Sequence, residues 1–140
     1  QPSNKHLLEA IELLYFAYRA FTAGPDRILQ EKGLGRVHHR ILYFVGRNPG
    51  ININELLTTL AVSKQALNGP LRKLIELELI DVQTGSHDRR VKELKLSKAG
   101  VKLESKLTQT QMQHLEKAFR KGGEDALAGW LQIMRNIPNA

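Results

Sequence analysis

The stretch Gly85-Ser86-His87-Asp88-Arg89-Arg90 decides how this chain is read. It is short, basic and turn-forming, and it lies between two alternating segments, 80–84 and 91–96. Alternation of apolar and polar residues marks a half-buried strand. Ile80 and Val82 would share an inner face with Leu94 and Leu96, leaving Asp81, Gln83, Glu93 and Lys95 outward. Just upstream, Ser63-Lys64-Gln65-Ala66-Leu67-Asn68-Gly69-Pro70-Leu71-Arg72 reads as a helix with a polar face, capped by Ser63. A basic hairpin tip directly after such a helix is the sequence form of a winged helix-turn-helix. The helix has the shape to fill a DNA major groove, and the hairpin to reach a neighbouring groove or the backbone.

Moving toward the N-terminus, Asn52 is an N-cap with Glu55 three residues on, ahead of Ile53, Leu56, Leu57 and Leu60. Ala61-Val62 then makes a tight connection to the Ser63 helix, completing a helix-turn-helix unit. A helix is predicted over about 36–48, ended by the turn Asn48-Pro49-Gly50. The first helix is predicted from 3 or 4 to about 23. Leu7, Ile11, Leu14, Tyr18 and Phe21 form one stripe, and Leu13, Phe16, Ala17 and Ala20 widen it. Gly24-Pro25-Asp26 is read as a break with Pro25 in the first turn of a short following helix, and Gly33-Leu34-Gly35 as a second break. Toward the C-terminus, Ser97 caps a long helix starting near 98, Gly122-Gly123 breaks it, and a last helix carries Leu127, Trp130, Leu131, Met134 and Ile137 up to Pro138.

The first helix has more apolar surface than one surface helix needs. Packed with the last two helices, it would form a layer that is thin in a single copy. A two-fold dimer solves that burial problem. The expected fold is therefore mainly α with a small β-hairpin wing: a winged helix-turn-helix over about 36–100, and a helical dimerisation layer from about 4–33 and 101–138, within one domain over 1–140.

Composition sets outer bounds. The chain has 140 residues, and a chain of that size buries roughly 68–70% of its unfolded surface. Lys and Arg number 21 against 14 Asp and Glu, giving a net charge of +7 that suits a polyanionic partner. There are no cysteines, so disulfides, thiolate nucleophiles and Cys-based zinc sites are excluded. No apolar run approaches the roughly 20 residues of a membrane span, so no membrane association is expected. The polar start Gln1-Pro2-Ser3-Asn4 lacks signal-peptide character, and the missing Met points to trimming or an incomplete start. A cytoplasmic location is the expectation.

The element order, together with Asp88-Arg89-Arg90-Val91-Lys92-Glu93-Leu94-Lys95-Leu96-Ser97-Lys98-Ala99-Gly100, resembles the MarR family of bacterial transcriptional regulators. The family pattern there is Asp-x-Arg, a strand, then Leu-Thr-x-x-Gly. Asp88, Arg90, Leu96 and Gly100 match it, and Ser97 stands in place of Thr. The resemblance covers nearly the whole chain. It implies a homodimer on a short pseudo-palindrome of double-stranded operator DNA. It also implies a repressor whose DNA affinity drops when a small molecule binds between the dimer helices and the winged module. One departure is Pro70 inside the recognition helix, preceded by Asn68-Gly69. Either the helix bends there or it is interrupted near Asn68.

Ser63, Lys64, Gln65, Asn68 and Arg72 are the DNA-contact candidates on the helix. Gln and Asn suit adenine, Arg and Lys suit guanine, and Ser at a helix N-terminus suits phosphate. On the wing, the family motif makes Arg90 the choice for minor-groove insertion, with Arg89 and His87 at the backbone. Asp88 would order the loop by pairing with an Arg or a backbone amide, because phosphates repel it. Tyr15, Tyr18 and Arg19 on the first helix and His38, His39 and Tyr43 on the second are candidates to line a pocket for an aromatic or amphipathic acid. Adjacent His38 and His39 diverge around a helix and do not make the same-face pair of a helical metal site, so no metal and no cofactor is expected. No phosphate loop, carboxylate pair or nucleophile motif points to an enzyme. A protein-interaction module without DNA-binding activity is the other reading of the same fold.

Overall fold

The computed structural model describes residues 1–139. Ala140, included in the expected domain span, lies outside them. The first helix, α1 (Asn4–Gln30), starts at the Ser3 cap and runs unbroken through Pro25. The break expected at Gly24-Pro25-Asp26 is therefore absent. A proline inside a helix costs about 3 kcal/mol, and packing offsets it here. Pro25 and Thr22 are buried, and a Cβ on Gly24 would come within 2.9 Å of the Thr110 side chain. Glycine and proline at this point serve the crossing of two helices, not a turn. The true end comes at Gly33, whose φ is +70°, with the Leu34 N–H returning to the Leu29 carbonyl at 2.9 Å. This is a Schellman-type stop, and both leucines are buried.

Helix α2 (Arg36–Arg47) supplies the centre of the core through Ile41, Leu42 and Val45. Helix α3 (Ile53–Leu60) carries the expected capping box. Asn52 accepts from the Glu55 N–H at 2.8 Å, and Glu55 accepts from the Asn52 N–H at 3.0 Å. Helix α4 (Lys64–Glu76) begins at Ser63, whose Oγ accepts from the Ala66 N–H at 3.1 Å. It remains one helix through Pro70, so it is not interrupted near Asn68. Leu67, Leu71 and Leu74 anchor its inner side.

The sheet has three strands, one more than the sequence suggested. Strand β1 (Ile51–Asn52) is added by the Gly50 turn, and β2 (Ile80–Thr84) and β3 (Lys92–Leu96) form the hairpin. All pairs are antiparallel in the order β1-β3-β2, with Ile51 opposite Leu94 and Ile80 opposite Leu96. Ile80 and Leu94 are buried as expected, but Val82 is 41% exposed: it lies on the edge strand β2, while its partner Leu94 sits in the central strand β3, flanked by β1 on its other side. Helix α5 (Lys98–Gly122) runs from the end of β3 across α1 and α2, and α6 (Glu124–Asn136) folds back on it after Gly123.

The start of α5 is held by a tight clasp. The Ser97 N–H donates to the Leu79 carbonyl at 3.0 Å, and Ser97 Oγ donates to the Glu78 carbonyl at 2.6 Å. The Gly100 N–H donates to Ser97 Oγ at 3.0 Å. A Cβ on Gly100 would lie 2.0 Å from the Leu79 carbonyl oxygen, a contact that backbone cannot relieve. Replacing Gly100→Ala is expected to destabilise the protein by roughly 2–3 kcal/mol or more. Chemical denaturation of the two forms measures it, and an unchanged midpoint would show the clasp to be loose.

Candidate nucleic-acid interface

Two basic features flank the sheet on the outside of the molecule. The first is the outward side of α4. Ser63, Lys64, Gln65, Asn68 and Arg72 are all exposed there. The packing of Leu67, Leu71 and Leu74 sets which side of the helix turns outward. Lys73, at the far end of the same helix, bonds to the Gly33 carbonyl and ties α4 to the end of α1.

The second is the hairpin tip. The Gly85 N–H donates to the Val91 carbonyl at 2.8 Å, and the Val91 N–H donates to the Asp88 carbonyl at 3.1 Å, closing the loop. A Cβ on Gly85 would stand 2.8 Å from that Asp88 oxygen, so the turn has no room for one. Asp88 binds Arg90 three times. It accepts from the Arg90 backbone N–H at 3.0 Å, from Nε at 3.1 Å and from Nη2 at 3.1 Å. The side-chain hydrogen bonds from Arg90 come first in holding the Asp88 carboxyl below its ordinary range. Arg90 nonetheless keeps a side chain 90% exposed. His87 and Arg89 are exposed beside it.

A separate cleft of about 300 Å³ opens between α1, α2 and α5. Tyr18, His39 and Tyr43 line it, as do Arg36 and Arg40, which sequence reasoning did not single out. The signal for those two was present: they stand one helical turn apart, beside His39 and Tyr43. Arg40 donates to the Tyr18 hydroxyl at 2.9 Å, and Arg36 lies 5.3 Å from the Tyr18 ring centre while pairing with Asp26. The hydrogen bond to Asp26 comes first in raising Arg36 above its ordinary value. Tyr15 and Arg19 stack on each other at 5.7 Å away from the cleft. His38 also lies outside it, with Nδ1 accepting from the Gly35 N–H at 2.9 Å. Beside the cleft, buried Glu104 on α5 pairs with Arg47 of α2 at 2.5 Å and accepts from Thr108. Among the described residues, no group of three or more His, Asp or Glu is placed to hold a metal. No helix among the described residues is long and apolar enough to cross a membrane.

This architecture is that of known regulators. The MarR family model matches residues 32–91. The HTH-type transcriptional regulator PetP of Rhodobacter capsulatus is 40% identical over 132 residues, covering 94% of this chain and 80% of that protein. The chain belongs to the MarR family. It is a transcriptional regulator with that family's DNA-binding winged helix, and its relatives are regulators, not enzymes. The fold is shared with Streptococcus pneumoniae FabT, solved in complex with DNA, at a TM-score of 0.83 with 17% identity, covering 98% of this chain and 96% of that one. It is also shared with the transcription regulator MarR from Oenococcus oeni, at 0.72 with 17% identity over 92% and 98%.

Burial lowers the proton affinity of both histidines on α2. Desolvation leads for each, reinforced by Lys73 at His38 and by Arg40 at His39. At His39, Glu104 and Asp26 act the other way without reversing the shift. The unfolded chain, with histidines near 6.5, binds more protons than the native state just below that pH. The stability linked to these groups is therefore present above about pH 6.5 and is lost as pH falls through the depressed native values. Denaturation at pH 7.5 and 5.5 should show this loss, and a His38→Gln, His39→Gln double variant should lose less. An equal loss in both proteins would assign the effect to other groups.

Proposed function

We propose that this regulator acts in the cytoplasm as a homodimeric repressor on a pseudo-palindromic operator. Each α4 enters a major groove, with Lys64, Gln65, Asn68 and Arg72 at base edges and phosphates and Ser63 at the backbone. Each wing places Arg90 in the flanking minor groove, with His87 and Arg89 on phosphates. The single observation that carries this reading is the Asp88–Arg90 fork. It orders an exposed arginine at the tip of a closed turn, beside an exposed polar helix. FabT, which shares the fold, was solved with DNA.

Dimerisation is supported by apolar side chains that the single chain leaves in water. Leu8 is 60% exposed, Ile11 66% and Ile133 63%. An apolar surface of this extent on α1 and α6 needs a partner. The two readers of such a dimer would sit roughly 34–36 Å apart, one duplex turn. The cleft beneath α1 suits a small aromatic or amphipathic acid, whose carboxylate Arg36 or Arg40 would meet. Such a ligand would weaken DNA binding only through different affinities for two reader spacings.

Selection of sites from random duplexes, followed by gel shifts at several salt concentrations, tests the proposal. The selected sites should be two-fold symmetric, with log–log salt slopes of about −0.9 per phosphate contact. Arg90→Ala should weaken binding roughly tenfold, with Asp88→Ala weakening it less. Failure to bind any duplex at low salt would leave the fold as a protein-interaction module.

A further inference from the structure

The run Asn68-Gly69-Pro70 in α4 contains a glycine that no packing in the protein explains. A helix interior is a poor place for glycine, which forms helix less well than alanine. Apart from its chain neighbours and the helix's own backbone, a Cβ at Gly69 would meet nothing within 4 Å, so no tertiary contact forbids one. Helical spacing sets Gln65, Gly69, Arg72 and Glu76 on the side turned away from buried Leu67, Leu71 and Leu74. Gly69 thus stands in the middle of the exposed row, between Gln65 and Arg72.

We propose that Gly69 is a specificity-determining, close-approach position, where the bare helix backbone lies against a thymine C5-methyl group. The inference rests on the DNA-binding reading of α4 given above. A helix with side chains is about 10–12 Å across, and the major groove is about 12 Å wide, so the depth of entry is set by what projects from the facing row. A missing side chain at the centre of that row lets the axis sink, and Gln65 and Arg72 on either side then reach base edges. The partner follows from chemistry. Gly69 offers no side-chain donor or acceptor, and its backbone N–H belongs to the helix. What remains is apolar contact, and the thymine methyl is the apolar group on the major-groove edge of the bases.

Pro70 supplies a rival reason for the glycine. The ring of a proline crowds the Cβ of the residue before it when that residue is helical, and glycine removes the crowding. The two reasons separate in a Pro70→Ala background, where the ring is gone. There, adding Gly69→Ala should raise the melting temperature of the dimer, as helix propensity dictates. It should also weaken binding to the selected operator roughly tenfold, leaving low-salt binding to unrelated duplex unchanged. Replacing single thymines of the operator by deoxyuridine should weaken the parent at one position per half-site and restore the Gly69→Ala form at that position. Operator affinity that is unchanged or improved by Gly69→Ala in this background overturns the proposal, as does equal weakening on unrelated DNA. A wild-type protein that selects no duplex defeats the DNA-binding reading first, a result separate from either.

Discussion

The contact between Gly100 and the Leu79 carbonyl governs how the two halves of this molecule meet. Four chain segments converge there: the end of α4, the start of β2, the end of β3 and the first turn of α5. Glu78, with φ +60°, takes a left-handed conformation that a non-glycine residue adopts at a cost of about 1–2 kcal/mol. The turn returns the Leu79 N–H to the Leu74 carbonyl at 3.0 Å, closing α4. The carbonyls of Glu78 and Leu79 then point at Ser97, whose hydroxyl and N–H take one each. Because a side chain at position 100 would collide with Leu79, the helix axis of α5 has little freedom relative to the wing. The wing and the first turn of α5 are therefore held in one fixed register by backbone contacts.

The contact between α2 and α5 is a different kind of constraint. Glu104 is 2% exposed, and a buried carboxylate is costly unless its lone pairs are met. Arg47 and Thr108 meet them from two directions, and Arg47 lies 5.0 Å from the Tyr43 ring centre. Gly46 makes room: a Cβ there would stand 3.1 Å from the Glu104 carboxylate. An apolar pair would hold the same helices without that desolvation cost, and would slide more readily. The ion pair fixes register between α2 and α5 directly beside the cleft lined by Tyr18, His39 and Tyr43. The walls of the cleft thus take a mutual position set by charge as well as by packing.

Most of the fold was legible because local rules and tertiary packing agree. Ser63, Asn52 and Ser97 are N-caps by residue type, and each caps by geometry. The wing was legible from alternation and from the turn Gly85-Ser86-His87-Asp88. Two features were not. Gly24-Pro25 carries a strong local signal for a break, and only the crossing with Thr110 of α5, far away in sequence, overrides it. Strand β1 is two residues long, too short for any period, and exists because Gly50 delivers Ile51 to Leu94. The cleft was half legible. Tyr18, His39 and Tyr43 converge, whereas Arg19 and His38, next in sequence to Tyr18 and His39, turn about 100° away, and Tyr15, one turn earlier on α1, lies outside the cleft against Arg19.

The wing shows how order and charge trade against each other. Its tip carries Asp88, Arg89 and Arg90, and these three residues sum to a single formal positive charge. A tip without Asp88 would attract a polyanion more strongly at long range. Yet a free arginine must lose side-chain freedom on entering a narrow groove, a cost of about 0.5–1.5 kcal/mol for an immobilised side chain of this kind. Two hydrogen bonds that the Arg90 guanidinium donates to Asp88 would meet that loss in advance, in the free protein, and a third from the Arg90 backbone N–H orders the turn. Long-range attraction then falls to the lysines and arginines spread over the rest of a chain with net charge +7, and the wing supplies a shaped, pre-set point of contact. In the proposed complex, such a division of labour would leave salt to govern how readily the regulator reaches DNA, and the geometry of α4 and the Arg90 fork to govern where it stays.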